Sequence, residues 1–118
     1  MEENSPLIEV IEELIRRSIE AQRKFLPDSN HHRLLKNRIY ALNIAKTLIQ
    51  NESSERRPLY KEELDLANDP LKSLLSKSEK TIQKLSVGTW QHGLLEKNIE
   101  ALQIAVSLLD RELNRFKH

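Results

Sequence analysis

Apolar residues return at helical spacing along almost the whole chain. In the first segment Leu7, Ile8, Val10, Ile11, Leu14, Ile15, Ile19, Phe25 and Leu26 fall on one face at about 100° per residue. Glu9, Glu12, Glu13, Arg16, Glu20 and Arg23 take the opposite face. This predicts a helix from about Pro6 to Phe25, capped by Asn4 or Ser5, with Pro6 in the first turn where its missing N–H costs nothing. Leu26-Pro27-Asp28 ends that helix, and a second begins near Asn30 behind the N-cap Ser29 and runs to about Asn51. Residues 52–69 read as a polar linker, in which 59–67 fits a short helix after Pro58. A third helix restarts at Asn68-Asp69-Pro70-Leu71. Val87-Gly88 turns the chain, and a fourth helix follows Thr89 to about Phe116.

The second half repeats the first. Shifted by 60 residues, 10–49 align with 70–109 without a gap. Identical pairs are Leu14/Leu74, Ser18/Ser78, Lys24/Lys84, His32/His92, Leu34/Leu94, Leu35/Leu95, Ile39/Ile99, Ala41/Ala101, Leu42/Leu102, Ile44/Ile104, Ala45/Ala105 and Leu48/Leu108. Most of them lie on the second helix of each unit. The expected fold is therefore all-α: an antiparallel up-down four-helix bundle built from two tandem helical hairpins, about 5–51 and 70–116, in a single domain spanning 1–118. Neither hairpin has more than one side to bury, so the two must pack together.

Helices 2 and 4 carry apolar residues over more than half their circumference, from Ile44 and Ile104 on one flank to Ile39 and Ile99 on the other. One bundle interior needs a narrower stripe. The excess is covered either by the linker helix or by another chain, and a homodimer with those four isoleucines at its interface is expected.

Composition narrows the function classes. Lys and Arg number 19 against 18 for Asp and Glu, so no global field draws in a polyanion. The chain has no cysteine, which excludes disulfides, thiolate chemistry and sulfur-ligated metals. No apolar run approaches the ~20 residues that span a bilayer, and the acidic start is unlike a secretory signal. The expected setting is the cytoplasm. With only Gly88 and Gly93 there is no phosphate-cradling loop, and no sequence motif for nucleophilic or zinc-hydrolase chemistry occurs. No cofactor is implied.

Polar residues in the apolar faces are the sharpest candidates for chemistry. Arg38 and its repeat partner Asn98 sit at the centres of the apolar arcs of helices 2 and 4, and Ser18 and Ser78 at those of helices 1 and 3. In an aligned bundle all four meet at one level. Buried polar groups must be paired, and Glu79, standing where the first repeat has Ile19, is the expected partner of Arg38. Such a layer either fixes register or binds a small anion. His31, His32 and His92 gather at the turn end and form the candidate metal site, although the Glu-x-x-His pattern of four-helix di-metal proteins is absent. Arg16, Arg17, Arg23, Lys24, Arg33 and Lys36 cluster near the first turn, but acids interrupt the faces and no aromatics interleave.

The leading expectation is a non-enzymatic helical protein-interaction or regulatory module with a protein partner, without membrane or nucleic acid. A small-anion or metal-binding bundle, with or without enzymatic activity, is second. A weak nucleic-acid binder is third.

Overall fold

The computed structural model describes residues 5–53 and 56–117. It is all-helical among those residues, with α1 (Ser5–Gln22), α2 (Asn30–Gln50), α3 (Lys61–Ile82) and α4 (Trp90–Arg115). The capping role expected of Asn4 lies outside the described residues, as does that of the Ser5 side chain.

Equivalent positions of the two halves make the same local bonds. Ser29 Oγ accepts the His32 backbone N–H at 3.1 Å and Thr89 Oγ1 accepts that of His92 at 3.2 Å, so each hairpin's second helix is capped by the expected hydroxyl. Both turns tighten through matching bonds, Lys24 N to Ala21 O and Lys84 N to Thr81 O. Gly88 adopts φ +93°, a conformation that favours glycine, in the second turn.

The third helix differs from expectation. It starts at Lys61, well before Pro70, and continues through it, so the linker helix and helix 3 are one element. Its start is set by Tyr60, whose backbone N–H donates to Glu63 Oε1 at 2.9 Å. Proline removes the bond to the carbonyl four residues back. That carbonyl belongs to Leu66, which is exposed, so water can replace the lost donor. The gain is apolar burial: Leu64, Ala67 and Leu71 are fully buried in the core. The linker thus supplies cover for the wide apolar faces.

α2 and α4 sit at the centre. Each contacts the other three helices, whereas α1 and α3 make no contact with each other among the described residues. Within the hairpins, Gln22 Nε2 reaches His32 O near the first turn and Lys46 pairs with Glu12 at 2.9 Å farther along. Lys72 pairs with Asp110 at 2.9 Å between α3 and α4. Glu52, just past α2, receives a two-pronged bond from Arg111 of α4 at 2.6 and 3.3 Å, which holds its carboxyl below the usual carboxylate range. The molecule measures 42 × 37 × 26 Å.

Among the described residues, one buried side-chain acceptor has no partner: Asn68 Oδ1. Its repeat equivalent is Ile8, which packs against the core. An unmade bond to a buried polar atom costs about 1–3 kcal/mol. Asn68→Ile should therefore stabilise the fold by about 1 kcal/mol in urea denaturation. A destabilised variant would show that Oδ1 is solvated or that the site is too small for the branched side chain.

Candidate functional site

The polar layer does not assemble as an interacting cluster. Ser18, Ser78 and Asn98 are buried as expected. The serines, however, satisfy themselves: Ser18 Oγ donates to Leu14 O at 2.8 Å and Ser78 Oγ to Leu74 O at 2.9 Å, each within its own helix. Neither needs a partner across the core. Glu79 is exposed and accepts a hydrogen bond from Gln103 Nε2 at 3.5 Å, and Arg38 forms no ion pair with it. The expected Arg38–Glu79 pair is therefore absent. The polar face of α3 simply turns Glu79 toward α4 and water.

Arg38 and Asn98 instead line separate grooves, one on each side of the molecule. The first, between α2 and α3, has a volume of about 260 Å³ and is walled by Leu34, Asn37, Arg38, Asp69, Pro70, Ser73 and Lys77. The second, between α4 and α1, is about 350 Å³ and includes Leu94, Lys97, Asn98, Glu9, Val10 and Glu13. These walls correspond position by position at the 60-residue shift: Leu34/Leu94, Asn37/Lys97, Arg38/Asn98, Asp69/Glu9, Pro70/Val10 and Ser73/Glu13. The chemistry has diverged. Asn98 stands among carboxylates, while Arg38 is a half-buried cation with no hydrogen-bonded or ion-paired partner among the described residues. Burial pulls its guanidinium below its ordinary pKa.

The histidines do not form a metal centre. No three His, Asp or Glu residues come together among the described residues in a group that holds a metal ion. His31 stacks on Phe25, ring centroids 4.9 Å apart. His92 Nδ1 lies 3.6 Å from Glu96, one turn along its own helix. The basic group near the first turn is partly neutralised locally: Arg16 pairs with Glu13 and with Glu20, and Arg17 with Glu13. The bond from Arg16 holds the Glu13 carboxyl down at about 2.

Of the four isoleucines placed at an interface, Ile44 is buried, Ile39 and Ile99 are half-buried, and Ile104 is 36% exposed. Most of that surface is used within the chain. A feature the sequence did not single out is the open cleft of about 910 Å³ that runs from Trp90 to Gln103 along α4, with Ile82 of α3 at its edge. Trp90 is 73% exposed. The available signal was the position of the chain's one tryptophan in the first turn of an amphipathic helix.

Compared with family models, with curated proteins and with solved structures, the chain matches none. No helix among the described residues is long and apolar enough to cross a membrane.

The separation of Arg38 from Glu79 gives a direct check. Glu79→Ala should change stability by no more than about 0.5 kcal/mol, since the residue is exposed and loses one long hydrogen bond. Arg38→Leu should be neutral or stabilising, because it removes a half-buried cation that has no partner. Thermal melts of both variants measure this. A large loss in Glu79→Ala would restore the buried pair.

Proposed function

We propose that the chain is a non-enzymatic helical binding module, made from a duplicated antiparallel hairpin, and that its partner is another protein. The observation that carries this reading is Trp90, held in water at the mouth of the α4 cleft. Tryptophan is among the side chains most enriched at the energetic centres of interfaces. The wall beside it combines Ile82, Leu94 and Ile99 with Glu96, Lys97 and Glu100, an apolar strip edged by charge. Gly93 lies in that wall with no atom within 4 Å of where a Cβ would stand, so a partner side chain has access there. Dispersal of the titratable groups weighs against an enzyme. Local neutralisation of Arg16 and Arg17 weighs against nucleic acid. The cysteine-free, charge-balanced composition supports a cytoplasmic setting.

A second copy of the chain is the other reading, favoured by Ile104, which remains partly exposed on the same helix. Burial of Ile44 leaves it less surface than a homodimer through the four isoleucines would use.

Sedimentation equilibrium at micromolar concentration, with Trp90→Ser as the comparison, separates the two. A foreign partner predicts a monomer, and capture of one defined protein from native extract that is lost in Trp90→Ser without a change in melting temperature. A dimer that Trp90→Ser dissociates places a second copy in the cleft. Capture that survives the substitution contradicts the proposed surface.

A further inference from the structure

We infer that the groove between α2 and α3 binds a monocarboxylate attached to a short apolar body, with Arg38 as the anchoring cation. The site is distinct from the Trp90 cleft and does not depend on it.

The argument begins with charge. The groove presents two cations, Arg38 and Lys77, and one carboxylate, Asp69. Arg38 is half-buried and forms no ion pair among the described residues, and two cations against the one carboxylate of Asp69 leave the groove with a net positive charge. A guanidinium offers a planar fork of donors that matches a carboxylate two-pronged, and such charge-assisted bonds are the strong ones. Asn37 and Ser73 stand in the same wall with further hydrogen-bonding groups. Asp69 limits the charge of the guest: it tolerates a monoanion and repels a more highly charged phosphate.

Size and polarity set the rest of the guest. At about 260 Å³ the groove lies just below the range of drug-sized sites, which begins at about 300 Å³. Leu34, Pro70 and the methylenes of Arg38 and Lys77 give it apolar walls. A ring or a short aliphatic chain fits that description.

The molecule carries its own control. The equivalent groove between α4 and α1 has the same place in the repeat, but Asn98 replaces Arg38, and Glu9 and Glu13 replace Asp69 and Ser73. Lys97 in place of Asn37 is then the one cation, set against Glu9, Glu13 and Glu100, so this groove has a net negative charge and should reject the same guest.

Amide NMR titration of the full chain with benzoate, hexanoate and inorganic phosphate tests the inference. Acetyl-Gly-Leu, with a free carboxylate or as its amide, distinguishes a peptide end from a free small acid. The expected result is saturable shifts at Leu34–Arg38 and Asp69–Lys77 with benzoate or hexanoate, weaker ones with phosphate, and none confined to Leu94–Asn98. Binding of the peptide acid more tightly than of benzoate would identify a chain terminus as the source; the amide should not bind. Arg38→Met, whose fold is checked by its melt, should weaken binding about tenfold or more, the loss of a charge-assisted hydrogen bond. Asn98→Arg combined with Glu13→Ser should create binding in the second groove. Equal shifts in both grooves of the parent, or affinity unchanged in Arg38→Met, would overturn the inference, as would the absence of any saturable shift.

Discussion

Each hairpin has one face to bury, and α2 and α4 are the helices that bury theirs against three neighbours at once. Everything else in the fold follows from that demand. Ala41, Leu42, Ala45 and Ile49 on α2, and Ala101, Leu102, Ala105 and Leu109 on α4, are all fully buried. The alanines recur at the same positions of both repeats, where small side chains let helices approach closely while leucines and isoleucines fill the space between them. α1 and α3 lie outside this pair and never meet among the described residues. The wide apolar arcs are thus a consequence of central position, and need no second chain to explain them.

The same arrangement makes the grooves. The N-terminal half of α2 lines one groove with the middle of α3, and the N-terminal half of α4 lines the other with α1. The two clefts are lined at positions that correspond at the 60-residue shift. Equivalent backbone with different side chains is a setting in which one copy can take up a ligand while the other keeps a purely structural role. Arg38 facing Asp69, Ser73 and Lys77, opposite Asn98 facing Glu9 and Glu13, is that kind of divergence. Trp90, which stands where the first repeat has Asn30, is another.

Four helices, their turns and both hydroxyl N-caps were legible in the sequence, because periodicity and capping are local and Ser29 and Thr89 act within a few residues of themselves. The start of α3 was not. Asn68-Asp69-Pro70 reads as a helix start when only local rules are applied, yet burial of Leu64 and Ala67 outweighs the bond lost at Pro70. The common level of Ser18, Arg38, Ser78 and Asn98 rested on helical register alone. Burial of the serines and of Asn98 was readable from the helical faces, but the angle between hairpins depends on packing across the whole core. The Arg38–Glu79 pairing failed because Glu79 lies on the exposed face of α3, and the serines need no partner because their own helices satisfy them. The Trp90 cleft depends on which flank of α4 remains open, which no single helix discloses.

The account rests on a core in which matched alanines of α2 and α4 are packed without spare volume. The direct measurement is the urea unfolding free energy of Ala45→Leu and Ala105→Leu. Overpacking of a filled core costs about 1–3 kcal/mol, and each variant should lose stability in that range while keeping its helical circular dichroism. Unchanged stability in both would mean that these positions have room to spare and that the centre of the fold lies elsewhere.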